Sequence, residues 1–296
     1  MRALRLQGAR DRARRAGGAA ALRAALLLAA ALIATPAVPH GHDALRVARH
    51  VAALGPRPAG GDAERRAHGF AERAFRRAGL RVEVQPFEVT GHGESRNVIG
   101  RLDTPRSCLR IVMAHTDTMP AGPGADDNAS GLGVVVALAR RLRSLRPDCD
   151  TWLVATGAEE RGYTGSPDHL GARALARRVL ARGGRTRLRW ALSLDEVGGD
   201  RPFWLRSPAV APRAAVEGAL LGAGRSARVP VEWVRDDDTG NSDHREFELA
   251  GLPAAKLGVG AGGEPCRHSA CDVPSRLDRR SLAQAQRLVE RALRAR

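Results

Sequence analysis

Histidines and acidic residues stand at several points of this sequence where they could act together on a metal ion. They are His115, Asp127, Glu159, Glu160, Asp195 and His268. Three of these positions come directly after short apolar stretches, at 109–113, 152–156 and 190–194. Imidazole and carboxylate groups are ligands that zinc and related divalent cations accept. The pattern therefore predicts a metal centre built from histidine and carboxylate side chains.

The segments that must position these residues alternate between strands and helices. Strands are predicted at 80–89, 96–102, 109–113, 152–156, 190–194, 231–235 and 254–259, and helices at 44–54, 62–78, 129–145, 170–181, 211–221, 243–249 and 278–293. This order predicts an α/β fold, a three-layer α/β/α sandwich with a mostly parallel central sheet. The carboxyl ends of parallel strands share one edge, so His115, Glu160 and Asp195 should converge there.

Each candidate has a simpler explanation when it is considered alone. His115 could be a hydrogen-bonded structural residue, Asp127 could cap the helix that follows it, and Glu159 and Glu160 could be solvated surface charges. As a set at one sheet edge, however, these carboxylates would repel one another unless a positive charge held them. The combination therefore favours a metal site over separate structural roles.

The first 37 residues have the composition of an export signal. Seven arginines and one aspartate precede or interrupt an apolar run at 24–34, and small residues follow it. This arrangement is typical of a secretory signal, and the run is shorter than the about 20 residues that span a bilayer. We predict a signal peptide at 1–37, with an uncleaved anchor as the alternative. A single domain at 38–296 and a secreted or extracytoplasmic location follow.

The chain is strongly basic, with a formal net charge of +16 over 296 residues and Lys256 as its only lysine. Without the first 37 residues the charge falls by 7 − 1 = 6 to +10. Nucleic-acid binding requires basic residues gathered on one face, usually with aromatic side chains between them. Aromatic residues make up only 3% of the chain, and no such cluster is visible. We therefore expect no nucleic-acid partner; binding to another polyanion would rest on charge alone.

Four cysteines in an exported chain favour disulfide bonds. Cys108 and Cys149 each precede a predicted strand, so they can form a bond if these strands are parallel neighbours. Cys266 and Cys271 flank His268 in one short loop and could bond locally. Free thiols and cysteine metal ligands are the alternatives. The absence of a Cys-x-x-Cys motif makes disulfides the preferred prediction.

Six motifs, taken together, resemble the aminopeptidase Y-type dizinc metallopeptidases, a family that also includes glutaminyl cyclases. They are His115-Thr-Asp117, Gly124-Ala-Asp-Asp127-Asn-Ala-Ser-Gly131, Glu159-Glu160, Asp195, Ser242-Asp-His244 and His268-Ser-Ala-Cys-Asp272. The resemblance extends from about Leu45 to the C-terminus. It implies a zinc-exopeptidase-like fold and an exported aminopeptidase that removes N-terminal residues from peptides as a monomer. No stable membrane insertion is expected after signal removal.

The resemblance also assigns roles to single residues. His115 and Asp195 resemble the ligands of one zinc ion, Glu160 and His268 resemble those of a second, and Asp127 resembles the carboxylate that bridges both. Glu159 resembles the general base that takes a proton from a water activated by the two zinc ions. The implied cofactor is therefore a pair of zinc ions, although cobalt or manganese could replace them.

Asp117 and Arg267 are weaker candidates near the same centre. Asp117 could hold the second ring nitrogen of His115, or it could be a plain surface residue. Arg267 stands where secreted relatives often have a tyrosine that stabilises the oxyanion, so we expect it to supply a positive donor, with a surface arginine as the alternative. His244, at a predicted helix start, is expected to be structural.

Two other functions remain open from the sequence. Glutaminyl-peptide cyclotransferase chemistry uses the same fold, in many members with a single zinc ion. A non-catalytic binding protein could also have retained the fold, although the complete set of ligands and base argues against it. The number of bound metal ions separates the dizinc peptidase from a binding protein.

Overall fold

The structure, a computed structural model, describes residues 40–200, 202–237, 240–260 and 263–294. The predicted signal peptide at 1–37 lies outside these residues. Among the described residues, no helix is both long enough and apolar enough to span a membrane.

Eight strands form one mixed sheet in the described part of the chain. They are β1 (Arg81–Val89), β2 (Gly93–Leu102), β3 (Leu109–His115), β4 (Asp150–Thr156), β5 (Leu188–Leu194), β6 (Phe203–Ser207), β7 (Val231–Arg235) and β8 (Ala254–Val259). Their order across the sheet is β1-β2-β4-β3-β5-β8-β6-β7. The four central strands, β4, β3, β5 and β8, are parallel to one another. Antiparallel pairing occurs where β1 meets β2, where β2 meets β4 and where β6 meets β8.

Helices cover both faces of the sheet, which confirms the predicted α/β/α sandwich. They are α1 (His42–Ala52), α2 (Asp62–Arg77), α3 (Gly131–Leu145), α4 (Arg161–Thr164), α5 (Leu170–Ala181), α6 (Gly184–Arg187), α7 (Ala219–Ala227), α8 (His244–Leu249) and α9 (Arg279–Arg294), with short helical turns at Ala125–Ser130, Ala214–Gly218 and Pro274–Arg276. Helices α1, α2, α3, α7 and α9 contribute to the core on one face. Helices α5 and α8 contribute to the core on the other.

Strand β3 illustrates why the central strands are continuously apolar. Val112 and Ala114 pack into the core on one face, and Ile111 and Met113 pack into the core on the other. A strand that is buried on both faces needs apolar side chains at every position, unlike a strand with one solvated face. Burying each large aliphatic side chain stabilises the fold by about 1.5–3 kcal/mol. The packing holds the strand ends that carry the candidate ligands.

Besides the short helices α4 and α6, which were not predicted, a strand and a helix start differ from the prediction. Strand β6 was not predicted, because its period-two pattern covers only five residues and includes half-buried Trp204 and Arg206. The helix predicted at 211–221 begins later, since Arg213 has an extended backbone (φ −74°, ψ 129°) and the backbone N–H of Arg213 donates to Glu217. Helix α7 then continues to Ala227.

Both predicted disulfides are confirmed. Cys108 and Cys149 join the starts of the parallel neighbours β3 and β4, with their Cα atoms 4.8 Å apart. Cys266 and Cys271 close the loop that carries His268, with a Cα separation of 5.2 Å. The first bond therefore fixes the sheet far from its carboxyl edge, and the second fixes the loop at that edge.

Candidate metal centre

Three neighbouring parallel strands bring the predicted ligands to one edge of the sheet. His115 is the last residue of β3, Glu159 and Glu160 follow β4, and Asp195 follows β5. All four residues are buried, with no more than 4% of their surface exposed. Residues that are far apart in sequence thus meet because the parallel strands end together.

The carboxylate of Asp127 lies between two histidines. Its Oδ1 is 3.2 Å from His115 Nε2, and its Oδ2 is 3.2 Å from His268 Nε2. On the His268 side, Glu160 Oε2 lies 3.0 Å from the same ring nitrogen. On the His115 side, Asp195 Oδ1 lies 3.5 Å from His115 Nε2. The five predicted ligands therefore form two groups that share the Asp127 carboxylate.

The donor set suits divalent metal ions. Ligand atoms of His115, Asp127 and Glu160 lie within 4.8 Å of one another, as do those of His115, Glu159 and Asp195. His115 Nε2, Glu160 Oε1 and Asp195 Oδ1 are buried and have no hydrogen-bond partner among the described residues. Buried polar atoms are normally paired, so three converging unpaired donors indicate a position for an ion.

The electrostatics of the cluster also indicate missing positive charge. Burial raises the pKa of Asp127, but the imidazoles of His115 and His268 on its two sides outweigh this effect and hold the pKa below its usual value. Burial lowers the pKa of His115, but the nearby Glu159 and the other acidic neighbours raise it well above its usual value. Burial and the adjacent Glu160 raise the pKa of Glu159 well above its usual value. The carboxylates thus favour cationic neighbours, a role that metal ions would fill.

Asp272 holds the turn that presents Asp127. Its two carboxylate oxygens accept the backbone N–H groups of Asp126 at 2.7 Å and Asp127 at 3.0 Å. The next residue, Asn128, donates to the carbonyl of Leu194 at the end of β5 and accepts from the N–H of Gly131. The turn is therefore fastened both to the His268 loop and to the strand that leads to Asp195.

Arg57 secures the segment between His115 and Asp127 from the other side. Its buried guanidinium donates to the carbonyls of Thr116 (2.8 Å), Pro123 (2.5 Å) and Gly124 (3.1 Å). Burial lowers its pKa to about 10, which still leaves it charged at neutral pH. The sequence analysis noted this region only as part of the resemblance. No local pattern indicated that Arg57 would satisfy backbone carbonyls more than fifty residues away.

Asp117 lies beside His115, as predicted, and it also contacts the two glutamates. Its side chain is 3.7 Å from His115 Nδ1, while its backbone carbonyl lies 3.2 Å from that nitrogen. Since a carbonyl oxygen only accepts, Nδ1 carries the hydrogen, and Nε2 of a neutral ring is free to bind a metal ion. The Asp117 carboxylate also accepts the N–H groups of Glu159 (3.1 Å) and Glu160 (3.0 Å). Asp117 therefore contacts both the imidazole of His115 and the backbone of the two glutamates.

Arg267 and His244 occupy distinct surroundings. Arg267 Nε lies 3.3 Å from Asp127 Oδ2, so its guanidinium faces the shared carboxylate. His244 Nε2 lies 2.7 Å from Asp236 Oδ2, outside the two ligand groups. Tyr163, the only tyrosine in the sequence, packs its ring against His92 and not against the ligands.

Three residues of this region were missed by the sequence analysis. His169 Nδ1 lies 2.8 Å from the carbonyl oxygen of Glu159 and 3.2 Å from its Oε1. Lys256 Nζ donates to Asp195 Oδ2 at 2.7 Å, and Glu196 Oε2 lies 3.5 Å from the same ammonium. The status of Lys256 as the only lysine was a usable signal. His169 had none, because it precedes α5 without a recognisable motif.

Comparisons with known proteins agree with this geometry. The model of peptidase family M28 matches residues 97–293. Aminopeptidase YwaD from Bacillus subtilis strain 168 is 30% identical over 215 residues, which cover 67% of this chain and 44% of that protein. The chain thus spans less than half the length of this relative.

Solved structures show the same fold at low sequence identity. A leucine aminopeptidase precursor from Bacteroides thetaiotaomicron matches with a TM-score of 0.76 and 20% identity, covering 88% of this chain and 99% of that one. A glutaminyl cyclase from the same organism, bound to N-acetylhistamine, also matches with a TM-score of 0.76 and 20% identity, covering 88% and 100%. Since the family model covers about two thirds of the sequence, this chain belongs to peptidase family M28.

Proposed function

We propose that this protein is an exported aminopeptidase that uses two zinc ions to hydrolyse the N-terminal peptide bond of its substrates. The observation that carries the proposal is the position of Asp127, whose two oxygens face His115 and His268 on opposite sides. A carboxylate in this position suits a bridge between two metal ions. The name of the B. subtilis relative supports aminopeptidase activity.

The proposed ligands divide into two groups around this bridge. His115 and Asp195 hold one ion, Glu160 and His268 hold the other, and Asp127 binds both. The unpaired buried atoms of His115, Glu160 and Asp195 support metal binding. The short distances from His115 to Asp195 and from Glu160 to His268 support the division into two groups. A solved zinc aminopeptidase from B. subtilis with a TM-score of 0.73 supports zinc as the metal. When bound, zinc supplies Lewis-acid chemistry that polarises a carbonyl and lowers the pKa of a water.

Glu159 is the proposed general base. Its carboxyl group is buried and lies within 4.8 Å of ligand atoms of His115 and Asp195, so it is positioned to accept a proton from a water there. Asp117 fixes its backbone N–H, and His169 lies 3.2 Å from its Oε1. Held in this way, Glu159 takes a proton from the attacking water and delivers it to the leaving amine.

Export of the chain is part of the same proposal. The two disulfides support it, because such bonds persist in oxidising compartments outside the cytoplasm. Expression with and without residues 1–37, followed by fractionation, tests this point. Accumulation of the full-length chain in the cytoplasm would contradict it.

Zinc-loaded protein should release the first residue from an N-terminally unblocked peptide and lose this activity in chelator. Glu159→Gln should retain bound zinc and lose at least 100-fold in kcat, because the amide cannot accept the proton. Arg66→Gln, on the exposed face of α2, is the matched control and should retain both properties. Unchanged kcat in Glu159→Gln would contradict the assigned base.

A peptide with N-terminal glutamine separates the peptidase from a cyclase. The peptidase releases free glutamine, whereas a cyclase releases ammonia and leaves a pyroglutamyl peptide with its peptide bonds intact. Mass spectrometry of the products distinguishes these outcomes. Ammonia release without peptide-bond cleavage would replace the proposed activity with cyclotransferase chemistry.

A further inference from the structure

A cavity of about 780 Å³ lies beside the metal centre, and its wall is charged rather than apolar. Nine of the fifteen described residues that line it carry charged side chains, while Trp204 and Val259 are the only large apolar ones. Two of the lining residues contact the proposed ligands directly: Lys256 reaches Asp195, and Arg267 reaches Asp127. The cavity is therefore positioned to hold the side chain of the residue whose peptide bond is cleaved.

An aliphatic side chain fits such a wall poorly. It would remove water from charged groups without offering them hydrogen bonds, which costs free energy. A polar or charged side chain replaces the lost water contacts. The wall thus disfavours substrates with an N-terminal leucine-like residue. Whether it favours an acidic or a basic side chain depends on the sign of the wall charges that have no ion-pair partner.

Two of the three carboxylates farther from the ligands have cationic partners, and the third, Asp237, is exposed to solvent. Asp236 Oδ1 accepts from Arg206 Nε at 2.7 Å, and Asp236 Oδ2 lies 2.7 Å from His244 Nε2. Glu264 Oε1 accepts from Arg276 at 3.0 Å. These pairs leave Asp237, on the exposed side of the wall, as the carboxylate of that part without an ion pair among the described residues.

The cations next to the proposed ligands outnumber their available carboxylates. Glu196 lies between Lys256 (3.5 Å) and Arg267 (3.9 Å), so its charge is shared by two cations. The other partners of these cations, Asp195 and Asp127, are assigned to metal ions. The side of the cavity nearest the reacting bond therefore carries excess positive charge.

Arg161 adds a further cation at the passage between this cavity and the glutamates. It lines the cavity and also a recess of about 360 Å³ that contains Glu159, Glu160 and His268. Its guanidinium donates to the Pro167 carbonyl and to the Asn241 side chain. No carboxylate among the described residues lies within ion-pairing distance of it. A guanidinium without an acidic partner is suited to bind a carboxylate through two parallel hydrogen bonds.

We propose that the cavity selects peptides whose N-terminal residue is aspartate or glutamate, with Arg161 receiving the side-chain carboxylate. This inference rests on the proposed aminopeptidase function and narrows its substrate class. A hydrogen bond to a charged group discriminates more strongly than one between neutral groups. The selection should therefore appear as a preference for glutamate over glutamine, which has the same size and no charge.

The test compares kcat/KM of the zinc-loaded enzyme for glutamyl-, glutaminyl-, leucyl- and lysyl-p-nitroanilides. The wild type should prefer glutamyl over glutaminyl substrate by about 10- to 100-fold, which matches the usual contribution of a charged hydrogen bond. Raising the salt concentration should reduce this ratio, because the attraction is electrostatic.

Two variants of Arg161 and one control variant test whether Arg161 causes this selectivity. Arg161→Gln should bring the glutamyl-to-glutaminyl ratio close to one, and Arg161→Lys should keep part of it. Arg66→Gln, which removes an equal charge from the exposed face of α2, should leave the ratio unchanged. A wild-type ratio near one, or a preference for leucyl or lysyl substrate, overturns the inference while the aminopeptidase function stands. Failure to cleave any substrate overturns both.

Discussion

The backbone N–H of Glu159 donates to Asp117 Oδ1 at 3.1 Å, and this bond joins two residues that follow neighbouring strands. The adjacent N–H of Glu160 donates to the other oxygen, Oδ2, at 3.0 Å. One buried carboxylate thus fixes the backbone of both the proposed base and a proposed ligand. The carbonyl of the same aspartate accepts from His115. Asp117 therefore couples three functional side chains without binding metal itself.

Replacing Asp117 with asparagine should disturb this arrangement. The amide presents one acceptor and one NH₂ group, and the NH₂ group would face a backbone N–H in place of an oxygen. We expect zinc affinity or kcat to fall about 10- to 100-fold, as is usual when a group that supports metal ligands is changed. Competition with a chromophoric chelator measures the affinity. Asp103→Asn, on the exposed surface, is the control, and equal behaviour of the two variants would refute the role.

We expect Lys256 to support zinc binding through the compact shape of its ammonium group as well as through its charge. Its ammonium donates to Asp195 Oδ2, while Asp195 Oδ1 faces His115. Lys256→Met leaves buried Asp195 and Glu196 without this cation, so we expect zinc affinity to fall at least about tenfold. Lys256→Arg should not restore it, because the larger planar guanidinium does not replace a compact ammonium on a fully buried strand. Wild-type affinity in the arginine variant would show that charge alone suffices.

Buried His68 should make the fold sensitive to acid. Burial is the main cause that lowers its pKa to about 4 from 6.5; Asp117 and the Thr156 backbone raise the pKa by less, and Arg96 lowers it slightly. The unfolded chain therefore binds more protons between pH 6.5 and 4, and the stability contributed by neutral His68 is lost as pH falls through this window. Between pH 7.5 and 5 the loss should be about 2 kcal/mol.

The variant His68→Gln isolates this effect. Glutamine cannot titrate but can still donate to Thr116 Oγ1, the partner of His68 Nε2. Urea unfolding of both proteins in chelator at pH 7.5 and 5 measures the difference without a contribution from metal binding. The wild type should lose about 2 kcal/mol more than the variant. Equal losses would contradict the lowered pKa.

The two disulfides should have separable effects. Replacing Cys108 and Cys149 with alanine removes a cross-link between residues 41 positions apart. The unfolded chain then gains conformational entropy, so the free energy of unfolding should fall by about 4 kcal/mol. Zinc affinity should change little, because this bond lies at the opposite ends of the strands from the ligands. Thermal unfolding and zinc competition, measured in parallel, test this expectation.

The Cys266 and Cys271 pair should show the reverse pattern. The residues are only five positions apart, so the entropic cost of removing the bond is smaller, about 2 kcal/mol. The bond encloses His268, however, and its loss frees the loop that presents this ligand. We expect a larger loss of zinc affinity here than for the Cys108 and Cys149 pair. The opposite ranking would contradict the assignment of His268.

The carboxyl ends of the central strands could be predicted because a short apolar stretch in the sequence marks each buried strand. The apolar stretch before His115 and the one before Asp195 identified buried strands, and the topology of a parallel sheet then brought their ends together. The fold followed from the same patterns, both disulfides followed from the positions of the four cysteines, and the family followed from the resemblance of the six motifs. Strand β6 was missed because a five-residue alternation is too short to distinguish from a loop.

The supporting contacts were not predictable, because they depend on tertiary structure. Arg57 binds backbone carbonyls of the turn around Pro123, and Asp272 binds backbone N–H groups of the turn around Asp126. Neither contact has a sequence signal, since backbone groups are the same at every residue. For the same reason only part of the Asp117 contacts was predicted: its carboxylate lies beside the imidazole of His115, and it also binds the N–H groups of the glutamates.

Anomalous diffraction at the zinc edge, from crystals of the zinc-loaded protein, measures whether Asp127 lies between two metal ions. We expect two peaks, one on either side of the Asp127 carboxylate, the first near His115 and Asp195 and the second near Glu160 and His268. A single peak, or two peaks that do not share Asp127, would refute the proposed bridge.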